Sequence, residues 1–240
     1  MHLHPLRYAL GLARAAVAAG VRMHEGSRVE ALEPEVRTAA GRVRARFTVL
    51  AGNGYLGGLA PAVAARVMPL NNFIIATAPL AAAGARVLPF DEAVADSFFV
   101  VNYFRKSADG RLLFGGGESY GYRFPRDIAA LVRPRMLAVY PELAGVPVDF
   151  AWGGTLAITV DRMPAFQRLS PTTFSVAGYS GHGVAMATLA GKLMAEAVQG
   201  TAERFDVFAR LPQPGFPGGG ALRWPLLVLA MSWHALRDRL

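Results

Sequence analysis

Four small residues, Gly178, Ser180, Gly181 and Gly183, fall within six positions, between the apolar run 174–177 and an alanine-rich stretch that ends near Val198. The run has the composition of a short buried strand and the stretch after it that of a helix. A strand, glycine turn and helix in that order expose backbone N–H groups that no Cβ shields, at the positive end of a helix dipole. The chemistry such a junction offers is to hold an anion, or an atom that becomes anionic during a reaction.

Ser180 also stands at the centre of G-x-S-x-H, close to a nucleophile elbow. The elbow needs a small residue where His182 stands, and a downstream acid and histidine for which only Asp206 and His234 are in order. A serine hydrolase is the weaker reading. A literal G-x-G-x-x-G occurs at Gly52, Gly54 and Gly57, but Pro61 interrupts the helix that should follow, and the next acid, Asp91, is too far along to take a ribose hydroxyl. That segment reads as a glycine-rich strand-to-helix turn. For the turn at Gly178–Gly183 two ligands fit equally, a phosphate and a flavin whose N1/O2 edge gains negative charge on reduction. The chain has no cysteine, and its 5 histidines lack metal-ligand spacing, so disulfide, thiolate and H-E-x-x-H chemistry are set aside.

The elements that must position these residues follow from hydrophobic periodicity. Leu6, Leu10, Ala13 and Val17 recur at helical spacing between Pro5 and Gly20, and Arg14 breaks any signal-peptide core. Residues 21–25 read as a short strand, 29–32 and 36–38 as strands of a small meander, and a third strand leads into 47–51. The run 47–51 is continuously apolar and predicts a strand buried on both faces, as in a parallel sheet. From about Val67 to Trp152 come an apolar strand, two β-rich runs around a turn at Ser107–Gly110, and a helix near 126–140 that Pro134 should kink or divide. The chain returns through 148–161 to the opening strand and turn. The segment 224–236 is too short to span a bilayer, which takes about 20 apolar residues, and reads as a terminal helix packed on the core. No transmembrane segment is expected.

With 240 residues, 53% of them hydrophobic, the chain has ample material for a buried core and is not disordered. Its net charge of +8 comes mostly from scattered arginines, with Lys106 and Lys192 the only lysines. Without a basic run, the composition gives no reason to expect nucleic acid as a partner. The architecture expected is α/β (α+β), one domain interrupted by another.

The segments "HLHPLRYALGLARAA", "VLAGNGYLGGL", "NYFRKSADGRLLFGG", "AWGGTLAITVDRMPAF" and "GYSGHGVAMATLAGKLMAE", in this order, resemble the C-terminal half of FAD-dependent amine and amino-acid oxidases of the D-amino-acid oxidase (glycine oxidase-like) superfamily, and within it the gamma-glutamylputrescine oxidase branch. The resemblance covers essentially the whole chain. It implies a partial, incomplete dinucleotide-binding domain in 1–66 and 153–240, and an antiparallel-sheet substrate domain in 67–152 whose sheet roofs the flavin. Val29 then falls on the strand contacting the FAD adenosine portion, and Ala51, Gly52 and Asn53 on the strand end that closes over the cofactor. Gly178, Tyr179, Ser180, Gly181, His182, Gly183 and Val184 form the loop at the flavin ring. Tyr103, Arg105 and Trp152 are substrate-binding positions by the same resemblance, and Arg105 is suited to a carboxylate. Left open beside these are a core tyrosine next to a solvated arginine, and a structural tryptophan. Asp161 and Pro164 match an architectural D-x-x-P element.

Two departures from the family stand out. Its main cofactor fingerprint, an N-terminal strand with G-x-G-x-x-G, is absent, and Gln167 replaces a common glycine. The first makes a truncated chain the expectation, inactive alone. The implied reaction is oxidation of an amine or amino-acid C–N bond, with oxygen or another acceptor taking the electrons, in the cytoplasm, and with no obligatory catalytic side chain. The alternative is a non-catalytic small-molecule binding or subunit-interaction module.

Overall fold

The computed structural model describes residues 2–80, 86–98, 100–119 and 123–217, with 222, 225, 226, 228, 229 and 233. The expected terminal helix at 224–236 lies largely outside the described residues, as does His234. The chain divides into two compact units, one built on Met68–Leu156 and the other on Leu3–Val67 with Ala157–Phe216.

The second of these begins with α1 (Pro5–Ala18), which has Pro5 in its first turn and the His4 ring accepting the Arg7 N–H at 3.4 Å. Gly20, at φ +90°, ends it, as only glycine does without strain. α1 buries none of its residues, and the Tyr8 hydroxyl joins the Thr188 hydroxyl at 2.8 Å. Residues 21–25 form no strand, contrary to the sequence reading: Val21 and Met23 are exposed, and without a partner strand an apolar alternation has nothing to pair with. The meander is a three-stranded antiparallel sheet of β1 (Val29–Ala31), β2 (Val36–Thr38) and β3 (Gly41–Val43). Glu35 accepts from Arg42 at 3.1 Å and Arg44 at 2.7 Å, which pins the β2–β3 hairpin.

β4 (Thr48–Leu50) leaves that meander for another sheet, ordered β10 (Ala165–Ser170), β11 (Thr173–Ala177), β4. β4 runs parallel to β11, with Thr48, Val49 and Leu50 opposite Thr173, Phe174 and Ser175. The predicted burial of both faces is corrected: Leu50 is buried but Val49 is 41% exposed, because β4 is an edge strand whose outer face no described element covers. Behind β10 and β11 pack α4 (Gly183–Val198) and α5 (Glu203–Ala209), around Phe166, Phe174, Leu193 and Phe205. Neither β10 nor α5 was legible in advance; β10 is too short and mixed in composition to show a period.

The other unit is a five-stranded sheet, ordered β6 (Ala93–Ala95), β7 (Tyr103–Lys106), β8 (Arg111–Ser119), β5 (Met68–Pro79), β9 (Val148–Ile158). β7 and β8 are joined through the expected turn, closed by the Gly110 N–H to the Ser107 carbonyl at 3.0 Å. Asp109 caps this turn. The Ser107 hydroxyl and then Arg111 hold its carboxyl below the usual range. α3 (Ile128–Val139) covers one face, where Phe73, Ile75, Phe104 and Phe114 meet Val132 and Met136. Phe104 and Phe114 stack at 5.1 Å, and each side chain buried here contributes about 1.5–3 kcal/mol. Pro134 does not divide α3. The helix runs through it because Asp127 caps the start, accepting from Ala130 N at 2.8 Å, and Val132 and Met136 on either side are fully buried. That packing outweighs one lost hydrogen bond.

Candidate functional site

The polar centre of the second unit is the turn between β11 and α4. Gly178 leaves β11 at φ +79°, buried so tightly that a Cβ would lie 2.4 Å from Thr159 Cγ2 and 3.1 Å from Val67 Cγ1. Glycine is required here on both counts. The Gly178 N–H donates to Asn53 Oδ1 at 3.0 Å. Asn53 opens the 3-10 turn Asn53–Tyr55 just beyond β4 and holds φ +46°, a conformation asparagine tolerates better than most residues. Gly52 precedes it, where a Cβ would come 2.8 Å from the Leu56 side chain. The structure therefore brings Asn53, and with it Gly52 and the exposed Ala51, to the glycine turn. Val29 sits apart in the β1–β2–β3 sheet, half-buried and opposite Thr38.

Inside the turn, Ser180 is at φ +51° and its hydroxyl is spent within the loop. It donates to the Gly178 carbonyl at 3.1 Å and accepts the Thr159 N–H at 3.3 Å. The Ser180 N–H is taken by the Ala157 carbonyl at 3.0 Å. Ser180 serves as a brace: among the described residues its hydroxyl bonds only to Gly178 and Thr159 and no histidine accepts from it, which leaves the hydrolase reading without support there. Tyr179 turns inward, donates to the Val176 carbonyl at 3.2 Å, and burial pushes its phenol above the ordinary value. Thr159 was missed by the sequence reading. It ties the turn to its neighbour by donating to the Met163 carbonyl at 2.8 Å, while Asp161 accepts the Met163 N–H at 3.1 Å, the architectural role expected of the D-x-x-P element.

Outward from this brace lie exposed Gly181, His182 and Val184. Gly181 is at φ +96°, with nothing within 4 Å of where its Cβ would be. α4 begins at Gly183 with no side-chain cap, so its first N–H groups and its dipole face outward beside open backbone. The arrangement suits an extended, electron-rich ligand edge.

Tyr103, Arg105 and Trp152 lie in the other unit, and the strand alternation puts all three on one face of its sheet. Phe104 is in the core under α3, so Tyr103 and Arg105 point to the opposite side. Gly153 sits against the core residue Phe73, which places Trp152, 41% exposed, on that same opposite side. The Tyr103 ring covers Gly115, where a Cβ would come within 2.1 Å, and its hydroxyl donates to Asn72 Oδ1. Asn72 escaped the sequence reading; the signal for it was a polar pair, Asn71 and Asn72, inside an otherwise apolar strand.

A family model described as FAD dependent oxidoreductase (DAO) matches residues 1–197. The OrdL oxidoreductase of Rhizobium meliloti (strain 1021) is 45% identical over 243 residues, covering 99% of this chain and 56% of its own length. Gamma-glutamylputrescine oxidoreductase of Escherichia coli (strain K12) is 44% identical over 245 residues, covering 100% of this chain and 58% of its own. The chain thus spans just over half the length of these curated relatives. Among solved structures, L-proline dehydrogenase from P. horikoshii superposes with a TM-score of 0.67 at 22% identity, over 87% of this chain and 57% of that one. Glycine oxidase from Geobacillus kaustophilus gives 0.65 at 20% identity, over 80% and 53%. At those identities the likeness is one of fold.

Proposed function

The chain belongs to the FAD dependent oxidoreductase (DAO) family, and from that premise we propose that it serves the oxidation of an amine or amino-acid C–N bond, on a substrate of the kind named in its gamma-glutamylputrescine oxidoreductase relative. The observation that carries this reading is the closure of the β4 strand end on the glycine turn, Asn53 Oδ1 to Gly178 N–H at 3.0 Å, below an uncapped helix start. Both segments present backbone rather than side chains, with open space at Gly181 and an uncapped α4 start, a donor set that would suit FAD. Gly52, Asn53 and the turn Gly178–Val184 would hold it, and Val29 is assigned to its adenosine end. The chemistry supplied there by bound FAD would be acceptance of a hydride and transfer of the electrons to oxygen or another acceptor.

This chain's own part is to bind, orient and stabilise. The α4 N–H groups oppose the negative charge that a reduced cofactor gains. Tyr103, Arg105 and Trp152 form the substrate-binding face, in a domain corresponding to residues 67–152, and the remainder serves the cofactor. No described side chain is needed as an obligatory acid or base if the amine enters neutral; its oxidation to an imine and hydrolysis to a carbonyl and a free amine then need positioning above all. Anaerobic addition of gamma-glutamylputrescine to FAD-loaded protein should bleach the visible flavin band. A flavin that stays oxidised with this and every other amine or amino acid offered would overturn the assignment.

A further inference from the structure

On the face of the β10–β11–β4 sheet turned away from α4 and α5, the apolar cluster around Leu50 and Val63 leaves a pocket of about 190 Å³ at one end. Its volume is close to the roughly 150 Å³ of an apolar cavity that takes up benzene. Leu32 and Leu169 give it apolar walls. Thr48 and Thr173, opposite each other in the parallel pairing of β4 and β11, supply polar groups. Phe174 is in the core under α4 and α5, so the alternation turns Thr173 to this face, and Thr48 shares it with Leu50. Neither hydroxyl has a hydrogen-bond partner among the described residues. Ser170, also in the wall, is spent on the Thr172 N–H at 3.2 Å. Glu33 brings an exposed carboxylate that forms no ion pair among the described residues, and no cation lines the pocket.

We propose that this pocket binds a small primary ammonium with a short alkyl body, at a site separate from the glycine turn. The inference goes beyond the amine-oxidising reading and does not depend on it. The pocket lies at the N-terminal ends of β4 and β11, whereas Gly178 follows the C-terminal end of β11, about 16 Å away at the rise of a strand. One carboxylate without a cation selects positive charge and repels a second carboxylate. An ammonium carries three N–H donors and no acceptor. Here it meets three acceptors, the Glu33 carboxylate and the hydroxyl oxygens of Thr48 and Thr173. The alkyl body takes the leucine walls, where removing methylenes from water adds to the affinity. A neutral alcohol of the same length fills the walls but forgoes the ion pair.

Backbone NMR spectra of isotope-labelled protein, titrated at neutral pH with n-butylamine, n-butanol and butanoate, test this. n-Butylamine should shift the amides of Leu32, Glu33, Thr48 and Thr173. n-Butanol should bind there roughly three- to tenfold more weakly, and butanoate should leave those amides in place. Glu33→Gln should weaken n-butylamine by the same roughly three- to tenfold and abolish its advantage over n-butanol. Thr173→Val, which keeps the shape and removes a hydroxyl, should weaken both ligands. Glu33 is exposed, so its variant keeps the fold, and a dispersed spectrum verifies that in the same experiment. Amides in the pocket that do not move with n-butylamine, shifts confined to another part of the chain, or n-butanol or butanoate binding as tightly as the amine would overturn the site. So would a Glu33→Gln variant that binds n-butylamine as wild type does.

Discussion

Gly178→Ala is the substitution whose cost the structure specifies most closely. Two independent penalties meet there. A left-handed φ of +79° costs an alanine about 1–2 kcal/mol, and a Cβ placed 2.4 Å from Thr159 Cγ2 and 3.1 Å from Val67 Cγ1 adds an overpacking cost of about 1–3 kcal/mol. The sum, about 2–5 kcal/mol, corresponds to a fall in melting temperature on the order of 10 °C for a chain of this size. Gly181→Ala is the matched control, since at φ +96° it meets nothing within 4 Å and bears the backbone penalty alone. Thermal unfolding followed by circular dichroism should place Gly178→Ala well below Gly181→Ala. Adding Thr159→Ser, which removes the clashing methyl but keeps the hydroxyl bonded to Met163, should recover part of the loss, with a coupling of about 0.5–3 kcal/mol. Equal melting of the two alanine variants, or no rescue by Thr159→Ser, would refute the claim that Thr159 and Gly178 are packed as a unit.

Asn53→Ala removes the acceptor for the Gly178 N–H and leaves an alanine at φ +46°, so it should cost about 1–3 kcal/mol in urea unfolding, while Asn53→Asp, which keeps the acceptor, should cost less. Gln167 has a buried Oε1 with no hydrogen-bond partner among the described residues, although its Nε2 donates to the Ala62 carbonyl at 3.3 Å. Gln167→Met should therefore leave stability within about 1 kcal/mol of wild type by the same assay. Because burial raises the Tyr179 pKa in the folded state, its contribution is complete below the unfolded value near 10 and is lost as pH rises towards the folded one. Tyr179→Phe should flatten the alkaline limb of the stability–pH curve and leave the neutral region without a pH-dependent change.

Local signals in the sequence were reliable where one short segment settles the geometry. Pro5 and Gly20 bracket α1, Ser107–Gly110 closes the β7–β8 hairpin, and the glycines at 178–183 mark the junction into α4. They failed where a partner strand decides. Residues 21–25 alternate like a strand but have none, and Val49 belongs to an apolar run yet lies exposed on an edge. The three-stranded meander ends at β3, and the apolar run after it joins β11 through a parallel pairing more than a hundred residues away, which no local period encodes. At the site, glycines were visible because conformation selects them, whereas Thr159 and Asn72 act through contacts formed only in the fold. Neither carries a spacing signature, and only the polar interruption of β5 pointed to Asn72.

The central claim is that the turn Gly178–Val184 and the strand end at Gly52 and Asn53 together hold FAD. Amide hydrogen exchange, measured on the protein with and without added FAD, addresses it at residue level. Bound FAD should slow exchange mainly at 51–53 and 178–185, with a smaller effect near Val29. FAD that leaves those amides unchanged, or that protects a different part of the chain, would contradict it.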